Sequence, residues 1–279
     1  MKGFKIICWG LSALSISACS SLQLLNWSVP TRGYSVDKDR AFGDLPRQKL
    51  DVYVPDDVAP DAPVVVFYYG GSWSSGDKSG YKFVGEALSS LGYVTVVPNY
   101  RLYPDVKYPD FMADSAAALV WAHENAANYG VSPRKVVVAG HSAGAYNAMM
   151  LAVQPKFLAA AGGDTSMIHG VISLAGPFDF FPTNPDIQDT FSNVPHKEYQ
   201  PITYAKKIAP TLLLWGEADT TVLPRNSTNM LVALKNAGTD VTGQTYPEAN
   251  HVDMVLALAY RFRGRADVRA RMDAFIRGL

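Results

Sequence analysis

The chain has 279 residues, 25 basic and 25 acidic side chains and 48% hydrophobic residues, the make-up of a globular protein rather than a disordered, collagen-like or coiled-coil chain. A formal charge of zero argues against a nucleic-acid binder that works through general electrostatics. Cys8 and Cys19 are its two cysteines, which leaves none in the body of the chain for a disulfide framework or a thiolate metal site.

Lys2 and Lys5 precede an apolar run, Ile6 to Leu14, that is followed by small residues. That is the pattern of a secretory signal peptide, and the run is shorter than the roughly 20 residues a spanning helix needs. The run leads into Ile16-Ser17-Ala18-Cys19, which resembles the lipobox of bacterial lipoprotein precursors. The resemblance implies cleavage after residue 18 and acylation of Cys19, hence a membrane contact through an N-terminal lipid anchor in the bacterial cell envelope. Ser20, rather than Asp, at the next position implies the outer membrane. The simpler reading is a plain signal peptide with Cys19 a bystander. Residues 19–46 show no strong period and read as a tether and surface segment.

From there, apolar runs alternate with helical stretches. Strands are predicted at Leu50–Val54, Pro63–Tyr69, Tyr93–Val97, Lys135–Ala139, Val171–Ala175, Thr211–Trp215 and, edge-like, Val241–Tyr246. Helices are predicted at Tyr81–Leu91, Asp110–Asn128, Ala143–Leu151 and Arg225–Asn236, with a long one over Val252–Arg277. Continuous β-branched runs between helices imply an α/β fold whose mostly parallel sheet is covered on both faces. No linker or repeat interrupts the order, so residues 47–279 read as a single domain.

Gly140-His141-Ser142-Ala143-Gly144 is a G-x-S-x-G pattern with a predicted strand running in and a helix leaving. Such a strand–turn–helix setting lifts the serine hydroxyl above the C-terminal edge of a sheet. A serine nucleophile needs a base, and the base needs an orienting acid. Of the five histidines, His251 follows the last predicted strand, where side chains of open α/β sheets converge. His196 is the second candidate, while His123, His141 and His169 lie in a helix, in the turn itself and before a strand. Asp219 leaves the C-terminal end of the strand at Thr211–Trp215 and is the first choice for the acid, ahead of Asp179 and Asp253. Glu217, nearer the strand, is read as a loop support. Backbone N–H groups of Gly71 and Ser72, in the glycine turn after Pro63–Tyr69, and of Ala143 are the candidate oxyanion donors. Trp73, Tyr103, Phe178 and Phe180 are candidates for the pocket wall, and Phe178–Gln200 for its rim. Gly71 to Ser79 nearly spells a phosphate-binding loop, but Asp77 stands where the lysine must be, so no nucleotide is expected. No metal-ligand spacing is present and no cofactor is implied.

These stretches, with Leu50-Asp51-Val52-Tyr53, Gly76-Asp77-Lys78, Asn99-Tyr100-Arg101-Leu102 and Gly216–Asp219, resemble esterases of the α/β-hydrolase superfamily. The similarity is greatest to the branch of arylformamidase-like and feruloyl- or acetyl-xylan-esterase-like carboxylesterases. The resemblance implies the α/β-hydrolase fold, a triad of Ser142, Asp219 and His251, and a small-molecule ester substrate with a short acyl or aryl part. It leaves open an arylformamidase-like amide hydrolase or, in a different class, a lipid-anchored binding module on a hydrolase scaffold. Two departures stand out: Tyr69 and Ser72 occupy the first and last positions of the family's HGGG loop, and Asn99 replaces the Asp before Tyr-Arg.

Overall fold

The computed structural model describes residues 25–132 and 136–279, so the proposed signal segment and Cys19 lie outside the described residues. Eight strands form one sheet: β1 (Tyr34–Ala41), β2 (Lys49–Pro55), β3 (Val64–Tyr68), β4 (Val94–Pro98), β5 (Val136–His141), β6 (Ile168–Leu174), β7 (Thr211–Gly216) and β8 (Val241–Tyr246). Their spatial order is β1-β2-β4-β3-β5-β6-β7-β8. β1 and β2 run antiparallel, and every pair from β4 to β8 is parallel. In β3, β4, β5 and β7 every residue is buried, so side chains on both faces of the central sheet are covered. That burial explains why these segments read as unbroken apolar runs instead of alternating ones. Edge strand β1 is mostly exposed and edge strand β8 mostly half-buried.

The chain passes from β3 to β4 on one side, then crosses back to lay β5 on β3's other side, with Val64–Tyr68 opposite Val136–Gly140. Strand order therefore reverses between β3 and β5. At such a switch point the loops leaving two adjacent strands diverge and open a crevice at their C-terminal ends.

The helices are α1 (Lys82–Ser89), α2 (Asp110–Asn125), α3 (Ala143–Val153), α4 (Lys156–Ala160), α5 (Pro185–Thr190), α6 (Arg225–Asn236), α7 (Asp253–Leu256) and α8 (Val268–Arg277). Every residue of α3, the helix that leaves the β5 turn, is buried, which its Ala- and Met-rich composition permits. Gly130, at φ 79°, stops the single turn of 3₁₀ helix that follows α2.

Two expectations are corrected. Residues 34–41, within the expected surface tether, form β1, which pairs with β2 across a bulge between Asp37 and Arg40. Five of its eight residues are exposed, so no sustained apolar alternation marks it. The long C-terminal helix is broken into α7, a 3₁₀ turn at Tyr260–Phe262, and α8. Met254, Val255, Ala257, Leu258 and Ala259 are all buried, more of the circumference than one amphipathic face covers. Arg263, beyond the break, pairs with the buried Glu86 of α1 and donates from Nε to the Leu258 carbonyl. Arg263 thus acts as a structural clamp between this segment and α1.

Lys78, from the rejected phosphate-loop motif, is spent inside the fold, where its Nζ lies 2.7 Å from Asp51 and 2.8 Å from Asp39. Asp51 is buried on β2, so removing the ammonium strands a carboxylate away from water. Lys78→Met is expected to cost about 3 kcal/mol in urea unfolding, and Asp51→Asn in the same chain to recover part of that loss.

Candidate functional site

β5 ends at His141 and the chain turns sharply through Ser142, whose backbone sits at φ 54°, ψ −123°. A non-glycine residue there is strained by about 1–3 kcal/mol and persists only where its surroundings hold it. The Ser142 N–H donates to the Leu174 carbonyl of β6 at 2.9 Å, and its own carbonyl accepts from Tyr146 N at 3.1 Å. The two flanking glycines make the turn possible. A Cβ on Gly144 would lie 2.0 Å from the Tyr68 carbonyl oxygen, and one on Gly140 would lie 2.4 Å from the Gly144 backbone. Ser142 is left half-exposed at the switch point.

Asp219 lies in the loop after β7 and His251 in the loop after β8. The structure brings both to Ser142. The His251 Nδ1–H donates to Asp219 Oδ2 at 2.7 Å, which leaves Nε2 to accept the Ser142 hydroxyl at 2.8 Å. Asp219 is buried, and its other oxygen accepts from the Thr221 and Val222 N–H groups, both at 2.8 Å. Gly216 permits the two loops to touch, since a Cβ there would lie 2.0 Å from the Ala249 carbonyl. A hydroxyl bonded to an imidazole whose far nitrogen is fixed by a carboxylate can pass its proton to the ring as it attacks an electrophile.

The other candidates are placed elsewhere. Glu217 accepts from Thr245 Oγ1 and Trp215 Nε1, a loop support as expected. Asp179 binds Asn229, Asp253 accepts from Asn250 N, and His196 bonds to the Phe180 carbonyl while stacking on Phe181.

The glycine turn after β3 lies against the Ser142 turn: a Cβ on Gly70 would be 3.0 Å from the Ser142 Cβ. Gly71, Ser72 and Trp73 all have positive φ, which turns this stretch of backbone tightly beside Ser142. Ser72 forms no hydrogen bond among the described residues and is exposed. Tyr69, at the position of the family's histidine, is clasped between the rings of Tyr81 and Tyr100 at 5.2 and 4.8 Å. Its hydroxyl donates to Asn99 Oδ1 and accepts from Arg47 Nη2, each at 2.9 Å. Arg47 also reaches the Gly76 and Tyr100 carbonyls, so one guanidinium ties both ends of the loop together. Asn99 further accepts from Lys78 N and donates to Asp77, which accounts for an amide at that position. Nothing in the residue pattern announces Arg47, which lies before β2 and meets this loop only through the tertiary fold.

Of the four candidate wall residues, Trp73 and Phe178 are buried, and Tyr103 and Phe180 are half-exposed. Trp73 Nε1 donates to Asn147 of α3, and its ring packs among Phe111, Tyr146, Phe180 and Phe191. The rim segment is held in place by Gln200, whose side chain bonds both the N–H and the carbonyl of Phe180, and by Lys107 to Asp189 at 2.6 Å. Among the described residues no group of three or more His, Cys, Asp or Glu side chains could hold a metal ion, and no helix is long and apolar enough to cross a membrane.

A family model, BD-FAE, matches residues 50–234, a span that includes Ser142 and Asp219 and stops short of His251. The chain is 29% identical over 301 aligned positions to esterase LipQ of Mycobacterium tuberculosis, covering 97% of this chain and 69% of that protein. It is 27% identical over 240 positions to a probable isoprenylcysteine alpha-carbonyl methylesterase of Oryza sativa subsp. japonica, covering 77% of this chain. It spans 58% of that protein's length, little more than half. Among solved structures, an inhibited esterase B from Lactobacillus rhamnosis superposes with a TM-score of 0.80 at 18% identity, over 94% of this chain and 93% of that one. The fold is that of the α/β hydrolases.

His141, inside the turn, carries a pH signature. Burial first, and His251 beside it second, push its pKa from 6.5 down to about 3. Between those values the unfolded chain holds a proton that the folded chain does not, so stability falls as pH drops through the window. Relative to His141→Gln, the wild type is expected to lose about 1 kcal/mol for each pH unit below 6, measured by urea unfolding at pH 6 and pH 5.

Proposed function

The chain belongs to the BD-FAE family, and from that membership and the geometry around Ser142 we propose that it is a serine hydrolase that cleaves carboxylic esters through an acyl-enzyme. The observation that carries the reading is the run of two short hydrogen bonds, Ser142 to His251 at 2.8 Å and His251 to Asp219 at 2.7 Å. Ser142 Oγ attacks the ester carbonyl while its proton passes to His251 Nε2, and Asp219 steadies the imidazolium that results. The tetrahedral oxyanion is received by the N–H groups of Gly71, Ser72 and Ala143, donors each worth about 3 kcal/mol in such sites. His251 then gives its proton to the departing alcohol oxygen. Water, deprotonated by the same ring, attacks the acyl-enzyme, and the acid and Ser142 are released.

A half-exposed Ser142 and a rim made of short helical turns favour small acyl or aryl esters over long-chain lipids. The names of the relatives, an esterase and a probable methylesterase, support the same bond type. We further place the enzyme in the bacterial envelope, acylated at Cys19 and held at the outer membrane. That reading rests on the lipobox-like Ile16-Ser17-Ala18-Cys19 and on Ser20.

Wild-type protein is expected to be labelled by a fluorophosphonate probe, and Ser142→Ala to abolish labelling and lower ester turnover at least about 10³-fold. A wild type that resists labelling would point to a binding module instead. Turnover of a short aryl ester should exceed that of N-formylkynurenine; the reverse order would make the protein an amide hydrolase. Radiolabelled palmitate should enter the protein in a bacterial host and be lost in Cys19→Ala, and retention of label would sink the anchor.

A further inference from the structure

His141 does not take part in the proton relay, yet it adjoins both Ser142 and His251. It is joined covalently to Ser142, and its Nε2 lies 2.9 Å from the backbone carbonyl of His251. Its ring centre is 4.7 Å from that of His251. On the opposite side, a Cβ built on Gly70 would lie 3.0 Å from His141 Nδ1. The ring therefore fills the space between the nucleophile's turn, the glycine loop and the loop that carries His251. We propose that His141 is a positioning residue that clamps the His251 loop to the Ser142 turn through its Nε2–H; this rests on the ester-hydrolase reading of the site.

The chemistry of the pair fixes how the clamp is made. A carbonyl oxygen only accepts, so Nε2 carries the ring's proton and Nδ1 is a bare lone pair. Nδ1 has no hydrogen-bond partner among the described residues, although it is buried. An unpaired polar atom of this kind costs stability, and an apolar ring of the same size would avoid the cost. Only the bond from Nε2 gives histidine an advantage over phenylalanine here. A lysine or arginine would donate as well, but its charge would stand beside an imidazole that becomes cationic as Ser142 attacks. A neutral ring donates without that repulsion. His251 sits in a loop beyond edge strand β8, whose backbone is shared with β7 on one side alone. The His141 bond ties that loop directly to the centre of the sheet.

The test compares His141→Phe, which keeps the ring volume and removes the donor, with His141→Gln, whose Nε2 reaches about as far as the imidazole Nε2. Misplacing a catalytic group by about 1 Å costs on the order of 10²-fold, so kcat for a short aryl ester should fall by about that factor in His141→Phe with KM nearly unchanged. His141→Gln should recover most of the loss. Amide hydrogen exchange over residues 249–256 should quicken in His141→Phe and stay near the wild-type rate in His141→Gln. Exchange reads the clamp whether or not the wild type cleaves esters, so failure of the ester reading and failure of the clamp are separable. Wild-type kcat and exchange in His141→Phe would overturn the proposal. So would a Gln variant as impaired as the Phe variant, or a loss of kcat that tracks only the fraction of unfolded protein.

Discussion

The candidate site of this molecule depends on a single strained turn. Ser142 is held at φ 54° because β5 must end and α3 must begin within one residue, directly over the centre of the sheet. That turn exists only while nothing larger than hydrogen stands at 140 and 144, where added carbons would meet backbone at 2.4 and 2.0 Å. The same close approach brings the end of β3 beside the turn, and with it the glycine loop that follows Tyr69. Strain of about 1–3 kcal/mol is offset by what flanks the turn: five central strands and a helix buried along its whole length.

Around that turn, loops from four strands converge, and polar side chains secure them. Arg47 and Asn99 hold the loop after β3 through Tyr69, while the Asp219 carboxylate shapes its own loop through Thr221 and Val222. Glu217 braces β7 against β8, and Gln200 pins the rim at Phe180. Asn99, Asp219 and Gln200 are buried and have few alternative partners once water is excluded, so their bonds specify geometry more than they add stability. The equal numbers of acids and bases suit this economy, since the buried carboxylates Asp51, Glu86 and Asp114 are paired with Lys78, Arg263 and Arg101 within the chain.

Much of the fold could be read along the chain because its central strands are buried on both faces, which forces continuous β-branched runs that no amphipathic helix shares. β1 was illegible for the opposite reason: most of it lies exposed at the sheet's edge, and it gains its place by pairing with β2. The C-terminal helix misled because helical spacing continues through residues 252–277, whereas the burial of five residues within 254–259 and the pull of Arg263 toward Glu86 are tertiary facts. For Trp73 and Phe178 composition does not tell a pocket wall from ordinary packing, and both are buried.

The sequence by itself determined the strand–turn–helix at Ser142, the chain order of Ser142, Asp219 and His251, and the sheet beneath them, because each is a local pattern with a local physical cause. Only the tertiary structure decided what holds those residues in register. Arg47 meets Tyr69 from 22 positions away, and His141 meets the His251 carbonyl from 110 positions away. Such contacts leave no periodicity to read, since they arise where loops from different strands close over one another. Histidine at 141 looks incidental along the chain, and it becomes meaningful once the sheet brings the end of β8 to the end of β5.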